Sequence, residues 1–111
     1  MDNVNHPNHY EDSTSIECID NIRLLLGDTG TAYFCFGNAM KYVWRYKHKN
    51  GIEDLRKAKW YINYFDENLK DIRLELFDEF LIYEIRFNEL IDRLIKKEIH
   101  NRIKIWKVLK F

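Results

Sequence analysis

The chain has 111 residues, 46% of them hydrophobic and 32% charged, and its 18 basic and 18 acidic side chains cancel to a net charge of zero. This is the composition of one globular domain with a modest core. It excludes a disulfide scaffold, since the only two cysteines, Cys18 and Cys35, stand far apart and outside any C-x-x-C pair.

No apolar run is long enough to cross a bilayer, and the start Met1-Asp2-Asn3 lacks the basic-then-apolar pattern of a signal peptide. The expectation is a cytosolic protein with reduced thiols, each cysteine a small core residue in preference to a nucleophile. The charge is not evenly spread: successive blocks 1–30, 31–60, 61–90 and 91–111 balance to −5, +5, −5 and +5. Alternating blocks favour packing of one segment on another, within a chain or between copies, over a continuous basic face for nucleic acid.

In chain order, the arm from Asn5 to Ser15 carries the only proline, Pro7, and reads as extended or irregular. Thr14 and Glu17 have the spacing of a capping box, and Ile16, Ile19, Ile22, Leu25 and Leu26 follow at helical period, predicting a first helix over about 15–26. Gly27-Asp28-Thr29-Gly30 predicts a loop. A second helix is predicted over about 31–47, with Tyr33, Phe36, Met40, Val43 and Trp44 on its buried side. Asn50-Gly51 marks a turn, and a third helix is predicted from about Glu53 to about residue 70.

Neither glycine nor proline follows Gly51, and the sequence does not place the helix breaks after residue 70. Leu76, Phe80, Tyr83, Phe87, Leu90 and Leu94 form one apolar stripe, widened by Leu81, Ile82 and Ile85; Ile95, Ile99, Ile103 and Trp106 form another. Helices this apolar need cover on more than one side, which predicts a homo-oligomer unless the tail folds back over the monomer core. The fold class that follows is all-α: a compact helical bundle over 1–70 with a long helical extension over 71–111, in the same domain or appended to it.

Asn38, Lys41, Tyr42 and Arg45 fall on adjoining positions of one helix face, and Lys49 extends it by a turn. Asp54, Lys57, Ala58 and Tyr61 form a stripe on the next helix, and a tight turn between helices can bring the two stripes face to face. Cationic donors, an amide and a carboxylate together suit a phosphate-bearing small molecule. By spacing alone, a solvated basic face and a dipole-stabilising Asp54 are the commoner accounts of these residues. His6 and His9 are spaced as metal ligands can be, but a four-coordinate site lacks its other members; they could also donate to a phosphate or cap the surface. Glu17 and Asp20 share a helix face and could hold magnesium through water, unless the capping box uses Glu17. Phosphate-loop, dinucleotide-binding, zinc-peptidase and nucleophile-elbow motifs are all missing from the sequence.

The blocks His6-Pro7-Asn8-His9-Tyr10, Glu17-Cys18-Ile19-Asp20, Gly37 to Arg45, Lys49-Asn50-Gly51 and Glu53 to Tyr61 together resemble a family of small tailed-bacteriophage proteins, mostly of unknown function. The resemblance covers about residues 5–65 and does not reach the extension after residue 70. One member of that family is a nucleotide kinase that phosphorylates deoxynucleoside monophosphates without a Walker loop. The resemblance therefore implies a nucleotide site in the infected host's cytoplasm, drawn from His6, His9, Tyr10, Asn38, Lys41, Tyr42, Arg45, Lys49, Lys57 and Tyr61. It implies Lys41, Arg45 and Asp54 as catalytic residues, and Mg2+ recruited by Glu17, Asp20 or Asp54. Tyr42 or Tyr61 would stack on the base. Two other expectations differ in class: a non-catalytic phage inhibitor of a host enzyme or defence complex, such as an anti-CRISPR, or a protein that sequesters a nucleotide signal. A purely structural oligomer is the third.

Overall fold

A computed structural model describes residues 18–69, 72 and 74–110. Over these the protein is all-α: α1 (Cys18–Arg45), a 3-10 turn (Tyr46–His48), α2 (Ile52–Asn68) and α3 (Leu74–Lys110). The Thr14–Glu17 capping box and the arm lie outside the described residues.

The loop expected over 27–30 is absent. One residue, Gly27, leaves helical geometry, at φ 71° and ψ 179°, so α1 is two helical legs joined by a kink. Only glycine adopts that backbone without strain. The Thr31 hydroxyl donates to the Gly27 carbonyl at 2.7 Å, and Arg23 reaches across to Asp28 at 2.7 Å. These bonds, made by polar residues that read as loop formers, hold the kink in place. A Cβ at Gly30 would sit 2.8 Å from the Leu26 Cβ, so this turn also needs a glycine for space.

The buried side of α1 is rotated from the expected one. Phe36 and Val43 are inside as anticipated, but Tyr33, Met40 and Trp44 are 50%, 45% and 79% exposed. Ala32, Cys35 and Ala39 take the inward positions with no exposed surface, and Ala58 and Leu55 of α2 are as deeply buried. Small side chains let two helices approach closely, and the large aromatic cluster beside them needs that proximity. Phe36 is its hub, with ring centroids 5.0 Å from Phe65 of α2 and 5.8, 5.5 and 5.9 Å from Phe80, Tyr83 and Phe87 of α3. Cys35 is a core residue whose thiol burial pushes up to about 12, whereas Cys18 is exposed rather than internal. In the first leg Ile19 is buried, while Leu24, Leu25 and Leu26 face outward.

From Leu74 to Lys110 the chain is one unbroken helix. Its 37 residues, at about 1.5 Å each, make α3 as long as the 55 Å maximum dimension of the molecule. Phe80 and Ile91 are fully buried in the same core as α1 and α2, so the first half of α3 completes the bundle. The second half runs past it, exposed from Ile99 to Leu109. Among the described residues no helix is long and apolar enough to cross a membrane.

Polar contacts also tie α2 to α3. Lys59 donates to Asn88 at 2.7 Å and to Asp92 at 3.2 Å. Nearby, burial raises the Glu84 carboxyl to about 7, helped by its hydrogen bond with Asp66 and that group's negative charge, with Lys59 opposing. A raised carboxyl stabilises the fold while protonated, and that contribution is lost as pH climbs through the folded-state value. Melting temperature is therefore expected to fall between about pH 5 and about pH 8, and Glu84→Gln to flatten that limb and melt higher at the alkaline end. Thermal denaturation at constant ionic strength checks both.

The α1–α2 junction has its own clasp. Asp54 is fully buried and its carboxylate accepts from Arg45 Nε and Nη2 at 3.3 Å each, from the Asn50 backbone N–H at 3.2 Å and from Asn50 Nδ2 at 3.1 Å. Gly51, at φ 59°, makes the intervening turn, its N–H donating to the Tyr46 carbonyl at 2.8 Å. Burial works to raise the Asp54 pKa, but the Asn50 and Arg45 bonds together outweigh it and hold the carboxyl below its ordinary value. Asp54→Ala is expected to cost about 3 kcal/mol, the lower end for breaking a buried pair because the Arg45 side chain remains 33% exposed. A depressed carboxyl stabilises above its unfolded pKa and loses that contribution as pH falls. The gap between wild type and Asp54→Ala in chemical denaturation should therefore narrow toward strongly acid pH.

Candidate functional site

The turn at Asn50-Gly51 folds α2 back along the second leg of α1 and lays the two sequence stripes side by side. Tyr42 and Tyr61 stack across the junction with centroids 6.0 Å apart and planes 16° from parallel. Phe34 meets Tyr61 edge-on at 6.0 Å, and Trp60 closes on Tyr61 at 5.0 Å from its own helix. Helical steps of four from Phe34 through Asn38 to Tyr42 put all three on the α2-facing flank of α1.

Three cations converge on the Tyr42 ring. Arg45 Cζ lies 4.5 Å from its centroid, Lys41 Nζ 4.6 Å and Lys57 Nζ 5.7 Å. An aromatic face attracts a cation, which offsets part of the repulsion among three like charges and positions their heads around one ring. Glu53 lies 4.0 Å from Lys57, a loose partner one turn away. Asp54 is committed to Arg45, so the face retains a surplus of positive charge. The chemistry of such a face suits a planar anion, with a ring against aromatic edges and an oxyanion among the ammonium and guanidinium groups.

The residues expected at the site are thus partly gathered. Lys41, Tyr42, Arg45, Lys57 and Tyr61 form one cluster, and Asn38 flanks it, its amide nitrogen donating to the Phe34 carbonyl at 2.9 Å. Lys49 is exposed in the turn beside Asn50. Asp54 belongs to the cluster but faces inward, and a carboxylate ringed by Arg45 and Asn50 donors has no room for a metal ion. Asp20 is elsewhere, accepting from the Tyr64 hydroxyl at 3.1 Å. Burial, then the Asp20 charge and hydrogen bond, push that hydroxyl's pKa up to about 12. His6, His9, Tyr10 and Glu17 lie outside the described residues. Among the described residues no three His, Cys, Asp or Glu side chains gather as a metal site.

Asn50 and Phe34 were not anticipated. Asn50 reads from sequence only as a turn residue, although its four-residue spacing from Asp54 is the signal that it can cap that carboxylate. Phe34 shows no sequence signal beyond sharing a helix face with Asn38.

The family described as a protein of unknown function, DUF3310, matches residues 4–63, a span that contains every member of the cluster. The gene 1.7 protein of Enterobacteria phage T3 is 33% identical over 69 residues, which are 59% of this chain and 42% of that protein. The chain therefore spans less than half the length of that relative. No solved structure matches. With more than half its length matched, this phage-type chain belongs to the DUF3310 family.

Proposed function

We propose that the α1–α2 face binds a nucleoside phosphate, and that the protein transfers a phosphoryl group between nucleotides as a nucleoside monophosphate kinase without a Walker loop. The single observation supporting the site is the convergence of Lys41, Arg45 and Lys57 on Tyr42, itself stacked on Tyr61. Transfer itself rests on the phage-family resemblance.

In this reading Lys41, Arg45 and Lys57 hold phosphate oxygens, the exposed edges of Tyr42 and Tyr61 take the base, and the Asn38 amide oxygen meets a base or sugar donor. An oxygen of the monophosphate bonds to the γ-phosphorus of ATP as the bond to the β-bridging oxygen breaks, leaving ADP. A phosphate oxygen is already anionic, so this step needs no general base, and positioning with charge neutralisation carries it. Asp54 acts through Arg45 by fixing its guanidinium. The described carboxylates do not assemble a seat for Mg2+, so no role is assigned to them in holding it. Lys49, His6, His9 and Tyr10 are proposed as further phosphate or base contacts, from the matched family span.

A second reading has its own observation. Leu24, Leu25 and Trp44 are the most exposed large apolar residues of α1, and a host enzyme or defence complex could dock there. A protein that binds nucleotide without turning it over would instead sequester a signal.

Incubation with magnesium, ATP and each deoxynucleoside monophosphate should yield the matching diphosphate; none with any substrate would exclude the kinase. In thermal-shift or calorimetric titration, Lys41→Ala and Lys57→Ala should each weaken nucleotide binding about tenfold, the loss of one charge-assisted hydrogen bond, with helix content intact. Unchanged affinity in both variants would move the site elsewhere.

A further inference from the structure

The face of α3 opposite the bundle core carries a pattern that the nucleotide reading does not use. Residues 74–92 hold six acids and one base, and residues 93–110 hold seven bases and one acid, so the helix is acidic along its first half and basic along its second. Steps of four and three run through Asp78, Ile82, Ile85 and Glu89, then Lys96, His100, Ile103 and Lys107, which places them all along one line of the helix. Every one of these is exposed, Ile82, Ile85 and Ile103 at 46%, 57% and 47%.

Read from its two ends, this line is self-complementary. Reversed upon itself about a point between Asp92 and Arg93, Asp78 falls opposite Lys107, Ile82 opposite Ile103 and Glu89 opposite Lys96. A parallel pairing would set each charge against its own copy. We propose that α3 is a docking surface for a second copy of this chain, packed antiparallel as a two-fold dimer along residues 78–107, with Ile82 against the partner's Ile103 and Glu89 against the partner's Lys96.

Three physical points support a second copy as the occupant. A two-fold contact is isologous, so one helix must supply both halves of the match, and α3 does. The overlap is about 45 Å of helix at 1.5 Å per residue, long enough for a seam of several heptads. Residues 99–109 of α3 are exposed, and isolated helical turns are marginal in water unless an apolar side is packed. Like-charge contact in the parallel arrangement then selects the antiparallel one.

Sedimentation equilibrium of the full chain at moderate salt tests this, with a dimer of the 13.6 kDa chain as the expected species. Glu89→Lys and Lys96→Glu, each placing like charges together twice per dimer, should weaken dimerisation about tenfold, and the double variant should return it to within about threefold. Positions 89 and 96 are two turns apart, too far to pair within one helix, so this rescue reports only the contact between copies. Circular dichroism confirms helix in each variant; where one unfolds, Asp78→Lys with Lys107→Asp serves the same purpose. A monomer at every concentration, a dimer indifferent to both reversals, or a double variant that stays weak would each overturn the proposal. So would a monomer that co-sediments with anionic phospholipid vesicles, which would assign the basic half to a lipid surface.

Discussion

The buried Asp54 carboxylate, clasped by Arg45 from the end of α1 and by Asn50 from the turn, is the constraint on which the α1–α2 geometry depends. A charge with no exposed surface persists only if every lone pair has a donor, and here four donors surround it. Meeting that requirement fixes where the turn begins, how α2 leaves it and where the guanidinium points. Arg45 is oriented on one side by a buried anion and on the other by the Tyr42 ring, so a long flexible side chain is set in place before any ligand arrives.

The cationic face is a consequence of this closure. Lys41 and Arg45 come from α1 and Lys57 from α2, and they meet only because the clasp draws the helices together over Tyr42 and Tyr61. Asp54 neutralises one of the three charges from behind and leaves the others facing outward. The arrangement has features that anion-binding sites use: donors fixed by packing, a buried counter-charge behind them, and aromatic surface alongside.

On the far side of the bundle, Phe36 joins α1 to α2 and α3 through rings of Phe65, Phe80, Tyr83 and Phe87. This junction makes the first half of α3 part of the core that supports the α1–α2 face. The aromatic junction does not extend along the whole helix: residues 99–109 are exposed and carry apolar and basic side chains.

Much of the secondary structure was legible in the sequence. Periodic apolar residues, the absence of glycine and proline after Gly51 and the Asn50-Gly51 turn were enough to predict an all-α chain and the approximate bounds of α2. Spacing alone also put Asn38, Tyr42 and Arg45 on one helix face and Asp54, Lys57 and Tyr61 on another. Tertiary structure decided which residues turned inward: Ala32, Cys35 and Ala39 displaced Tyr33, Met40 and Trp44, because periodicity tells which residues share a face but not which face can approach a neighbouring helix. It also reduced the expected loop at 27–30 to a kink at Gly27, through the hydrogen bonds of Thr31 and Arg23, and turned Asp54 into an internal clasp. Those outcomes depend on partners brought together in space, and a one-dimensional pattern carries no information about the distance between them.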